Sequence, residues 1–71
     1  GLDQGIIETS NFTSANFIGS YISQYSFIDC NFTAANFSNS HLSEVSFENC
    51  DLTNVDFSGA SLGFGFRNSI R

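Results

Sequence analysis

A large apolar residue stands at every fifth position from Ile7 to Leu62, and the register never slips. The series is Ile7, Phe12, Phe17, Ile22, Phe27, Phe32, Phe37, Leu42, Phe47, Leu52, Phe57 and Leu62. Seven of the nine phenylalanines fall on it, so the aromatic content is concentrated at one periodic position. An α-helix repeats its side chains every 3.6 residues and a strand every 2, so neither produces this spacing. A strict short period over most of a chain points to a solenoid, in which each unit turns the backbone by a fixed angle.

The unit has a chemistry of its own. Two residues before each apolar centre stands a residue that is mostly small: Gly5, Ser10, Ala15, Ser20, Tyr25, Cys30, Ala35, Ser40, Val45, Cys50, Val55 and Ala60. The residue just before the centre is mostly polar, as at Asn11, Asn16, Ser26, Asn31, Asn36, Ser46, Asp51 and Asp56. Small and large positions two apart share one side of an extended segment. The two polar residues that follow suit a turn. Proline is absent, which agrees with a backbone whose N–H groups are bonded to neighbouring coils.

This unit resembles the pentapeptide-repeat motif, A-(D/N)-L/F-x-x. The nearest matches are Ala15-Asn16-Phe17, Ala35-Asn36-Phe37, Cys50-Asp51-Leu52 and Val55-Asp56-Phe57. The resemblance covers residues 5–64, with Ile6 and Tyr21 departing at the polar position and Tyr25 at the small one. It implies an all-β fold, a right-handed quadrilateral parallel β-helix in which four units make one square coil. About three coils are expected here.

Laying the sequence out in lines of twenty tests the four-sided expectation from within. Residues 7–26 and 27–46 share nine identities, and the columns become coherent. One holds only aliphatic centres, Leu2, Ile22, Leu42 and Leu62; another holds only Phe17, Phe37 and Phe57. Thr13, Thr33 and Thr53 align, as do Asn11, Asn31 and Asp51, and Asn16, Asn36 and Asp56. Ladders of like side chains are favoured by stacked, in-register strands. Residues 1–66 are therefore assigned to the β-helix. Arg67 falls where the next apolar centre is due, so 67–71 is assigned to a C-terminal tail, or the start of a linker or cap.

Charge and cysteine usage narrow the function. Seven acids face two arginines, Arg67 and Arg71, and there is no lysine, so the repeats carry no fixed positive charge. Direct nucleic-acid binding is excluded on that ground. No apolar stretch is long enough to insert in a membrane. The start at Gly1 and the lack of methionine read as a processed or trimmed piece of a longer protein. Cys30 and Cys50 share the inward column one coil apart, about 4.8 Å between Cα atoms. That distance is compatible with a disulfide, but packed core thiols are expected ahead of a bond or metal site, because stacked side chains point the same way and free cysteine behaves as a small hydrophobe.

No catalytic, cofactor-binding or metal-ligating constellation is read. His41 is the sole histidine, and its column neighbours Tyr21 and Ser61 supply no convergent partner. The N-x-S/T triplets at Asn11, Asn31 and Asn36 arise whenever Asn-Phe-Ser/Thr repeats, and are read as outward asparagine ladders. Residues that break the pattern are the candidate partner contacts: Tyr21 and His41 as an aromatic strip, with Ile18 and Ile28 at outward positions. Gly5 is expected to make room for the Tyr25 ring. Short solenoids expose apolar ends, so Phe64 and Phe66 are read either as an intramolecular cap or as contacts of an end-to-end homodimer.

The leading expectation is a non-catalytic structural or protein-interaction module. The resemblance also implies two rivals, a recognition segment of an extracellular or luminal receptor and a DNA-mimicking binder of type II topoisomerase (gyrase) that confers quinolone protection. Three coils span about 14 Å, and DNA carries one charge per roughly 1.7 Å, so mimicry over that length needs about eight negative charges. The seven acids here are spread over all faces, with Glu8, Asp29 and Glu48 on the richest one and Glu44 near its corner. That ranks mimicry second.

Overall fold

The computed structural model describes residues 5–63 in full and the backbone of 67–70. The strands are β1 (Gly5–Glu8), β2 (Tyr21–Ser23), β3 (Tyr25–Ile28), β4 (His41–Ser43), β5 (Ser46–Cys50), β6 (Ser61–Leu62) and β7 (Arg67–Ile70). They form two parallel sheets, ordered β1-β3-β5-β7 and β2-β4-β6. Among the described residues there is no helix.

Partners in the two sheets lie twenty residues apart up to β6. Ile7 pairs with Phe27 and Phe27 with Phe47, while Ile22 pairs with Leu42 and Leu42 with Leu62. Isolated bridges Asn11–Asn31–Asp51 and Asn16–Asn36–Asp56 keep the same step. The apolar centres thus stack in four rows, led by Ile7, Phe12, Phe17 and Ile22.

Two of the rows are strands and two are turns, and the residue before the centre decides which. In the Phe12 and Phe17 rows that residue is Asn or Asp. The side-chain oxygen of Asn31 accepts the Thr33 N–H at 2.9 Å, and that of Asn36 accepts the Ser38 N–H at 2.8 Å. Asn11, Asn16, Asp51 and Asp56 repeat the bond. This is an Asx turn, in which a short polar side chain closes on the backbone two residues ahead. In the sheet rows the position holds Ile6, Ser26, Ser46, Tyr21, His41 or Ser61, and the backbone stays extended. The outward asparagine ladders expected from the sequence are therefore turn-formers whose oxygens are engaged.

Each turn unit closes a second bond, from the N–H three residues after the centre to the centre's carbonyl. Ala15 donates to Phe12, Ala35 to Phe32 and Ser40 to Phe37, at 2.8 to 3.1 Å. In every unit from Ile7 to Phe57 the second residue after the centre has positive φ, including Thr9, Gln24, Ala34, Glu44 and Gly59. A turn bond around a left-handed third residue is the type II signature.

The core runs along the inside of the rows. Phe17 stacks on Phe37 with ring centroids 4.6 Å apart and planes 6° from parallel, and Phe37 continues onto Phe57. Phe12 stacks on Phe32 and Phe27 on Phe47, and neighbouring rows meet edge to face, as Phe27 does with Phe32. Both arrangements suit the ring quadrupole, each contributing about 0.5–1.5 kcal/mol beyond area burial. Cys30, Ala35, Ser40, Val45 and Cys50 fill the remaining inner positions and are fully buried. Ser40 satisfies its hydroxyl on the Phe37 carbonyl at 2.7 Å.

Burial depends on place in the row. Ile22, Phe27, Phe32, Phe37, Leu42 and Phe47 are buried, whereas Ile7, Phe12, Phe17, Leu52 and Phe57 are partly covered. Leu62 departs from its expected core role, being 46% exposed. Among the described residues it is the last centre of its row, with Leu42 paired on one side.

β7 runs past the point where the apolar series ends. Its Asn68 pairs with Phe47, one residue beyond the twenty-residue step, and a bulge at Glu48/Cys50 restores the step at Ile70. A parallel ladder is made by backbone N–H and C=O groups, so it continues without an apolar centre. The expected tail at 67–71 thus carries a paired strand over Arg67–Ile70.

Candidate interaction surface

The side chains singled out by sequence occupy separate parts of the exterior. Tyr21 and His41 face each other across β2 and β4, ring centroids 4.2 Å apart and planes 15° from parallel. Both are exposed. Ile18 is exposed in the Phe17 row, its N–H tied to the Asn16 side chain. Ile28 is half-buried in β3, between Glu8 and Glu48 on the flanking strands. Phe64 and Phe66 lie outside the described residues, so neither the cap nor the end-to-end homodimer is placed by the structure.

Tyr25 lies over Gly5, where a Cβ would come within 3.1 Å of its ring. The glycine leaves room for the ring, which packs on Phe27. Tyr25 is thereby a half-buried packing residue.

Cys30 and Cys50 are free thiols, fully buried. Cys50 donates to the carbonyl of Phe27 at 3.2 Å, and Cys30 faces the carbonyls of Ile28 and Ile7. Burial pushes the Cys50 thiol above its ordinary range. A thiol held in its neutral form is a poor nucleophile and a poor metal ligand. Among the described residues no three His, Cys, Asp or Glu side chains gather as a metal site, and every buried side-chain oxygen or nitrogen has a partner.

The carboxylates divide by what they do. Asp51 and Asp56 close turns, and the Ser58 hydroxyl, then its N–H, hold the Asp56 carboxyl below the usual carboxylate range. Asp29 accepts a bond of 2.6 Å from Asn49 one row-step away, and Glu44 accepts a longer one from Gln24. Glu8 and Glu48 stand on the outer surface of β1 and β5. Beside them is Ile6, which is 68% exposed. Its one signal in the sequence was an apolar residue at a position that is otherwise mostly polar.

The strand order and twenty-residue register define a protein of stacked parallel repeats, with apolar side chains inside and polar rows outside. Residues 6–69 match the family model for the pentapeptide repeat region, and the chain belongs to that family. No curated protein and no solved structure matches it. No helix among the described residues is long and apolar enough to cross a membrane.

Proposed function

We propose that the chain is a non-catalytic structural or protein-interaction module, acting as part of a longer protein. The four rows are read as the four sides of a right-handed square β-helix of about three coils. One observation carries this reading. Four apolar centres fall within each twenty-residue pairing interval, and all are given over to stacking, so the exterior is what remains for function. That exterior presents straight rows of side chains at strand spacing, about 4.8 Å, on a backbone held at every corner. Such a surface is pre-organised, which lowers the ordering cost of binding a protein.

Topoisomerase mimicry ranks below it, because Asp51 and Asp56 are engaged in turns and so contribute less to a phosphate-like array. Affinity capture from a native extract, comparing the intact chain with Phe37→Ser, tests the proposal. The substitution places a hydroxyl in the buried stack and breaks the fold. A protein retained by the folded chain alone is the expected result. Equal retention by both chains, or none by either, overturns the reading.

A further inference from the structure

The outer surface of β1, β3 and β5 is where the five-residue pattern is most disturbed. Residues two apart on a strand share a face, so Ile6 with Glu8, Ser26 with Ile28, and Ser46 with Glu48 form one surface. The register sets Ile6 opposite Ser26, and Ile28 between Glu8 and Glu48. Ile6 and Ile28 are therefore diagonal neighbours, roughly 8 Å apart from the strand spacing and the rise of two residues. The face ends at left-handed corners, where Asp29 pairs with Asn49 and Glu44 with Gln24. Two isoleucines thus sit among four carboxylates on one sheet face.

We propose that this sheet face docks a cationic amphipathic segment of a protein partner. Its apolar side chains cover Ile6 and Ile28, and its lysine or arginine heads meet Glu8 and Glu48, with Asp29 and Glu44 at the rim. The inference rests on the interaction-module reading and specifies the partner's chemistry. Charge selects the occupant. A second copy carries the same carboxylates, no lysine and two arginines confined to its C-terminal end, with a net charge of −5, so self-docking of this face sets carboxylates against carboxylates. A purely apolar partner would bury Glu8 and Glu48 unpaired, which is costly. A purely cationic one would leave Ile6 in water.

Fluorescence anisotropy at low ionic strength tests the assignment with synthetic peptides on the intact chain. The probe alternates leucine and arginine; one control replaces every leucine by serine, the other every arginine by glutamate. The probe is expected to bind at least about tenfold tighter than either control, since one control loses the apolar burial and the other sets like charges together. Ile6→Ser and Glu48→Gln should each weaken it roughly threefold or more. Ser43→Ala on β4 should leave it unchanged. Circular dichroism checks that each variant folds, and Ile6 is exposed enough for its substitution to spare the core.

Equal binding of the serine control, indifference to Ile6→Ser, or no binding of the probe overturns the proposal. So does self-association of the chain that Ile6→Ser abolishes, which would assign the face to a second copy. If the probe fails while a fold-dependent partner is still captured, this face assignment falls and the module reading stands. Failure of both removes the module reading itself.

Discussion

Asn11, Asn31 and Asp51 each turn one side-chain oxygen back onto a threonine two residues ahead, bonding both its N–H and its hydroxyl. Asn16 and Asn36 accept the backbone N–H two residues ahead, and Asp56 accepts the Ser58 N–H with the Ser58 hydroxyl beside it. Amide and carboxylate are interchangeable here because only an acceptor oxygen is needed. Asp56 differs in being titratable. Its pKa in the folded state lies below the ordinary 3.8, so its contribution to stability is present above that value and lost as pH falls through the lower folded one. Melting temperature measured from pH 5 to pH 2 should therefore fall less steeply in Asp56→Asn, which keeps the turn and removes the charge. An acid slope identical to that of the parent would show that the carboxylate bond contributes nothing.

At the scale of the unit, the left-handed corner is the recurring strain. Residues other than Gly, Asn and Asp meet a steric cost of about 1–2 kcal/mol in that conformation. The chain places Gly19, Asp29, Asn39, Asn49, Asn54 and Gly59 at such corners, yet also Thr9, Ser14, Gln24, Ala34 and Glu44. Gly59 is doubly constrained, since a Cβ there would run into the Asn39 side chain. Ala34 is exposed, and its N–H bonds to Thr53 whatever the side chain. Ala34→Gly should therefore stabilise the fold, by up to about 1 kcal/mol after allowing for the entropy of glycine in the unfolded chain. Chemical denaturation reads this directly, and a loss of stability would contradict the corner assignment.

Among the described residues, coverage falls at both ends of the Phe12 and Phe17 rows, at Ile7 in the first row and at Leu62 in the fourth. Leu42 and Leu62 are the same residue type in the same row, one buried and the other 46% exposed. Leu42→Ala should cost about 2–5 kcal/mol through lost burial and a cavity. Leu62→Ala should cost well under half as much, because water already reaches that side chain. Comparable losses from the two would mean that Leu62 is covered in solution. Hydrogen exchange should follow the same gradient, slowest in β3 and β5 and faster in β1.

The period of five and its coherence at twenty were legible before any coordinates, because side-chain size alone marks which residue must leave water in every unit. That determined parallel stacking, the inward columns and the Phe17–Phe37–Phe57 stack. The use of Asn and Asp was legible only as polarity. Their oxygens bond N–H groups two residues ahead, and whether such a bond forms depends on the backbone path. The division into two strand rows and two turn rows accordingly emerged in three dimensions. Exposure of Leu62 and pairing of β7 were likewise decided by tertiary structure. A periodic pattern says what each unit buries, whereas coverage at an end and backbone pairing beyond it depend on which segments come to lie alongside.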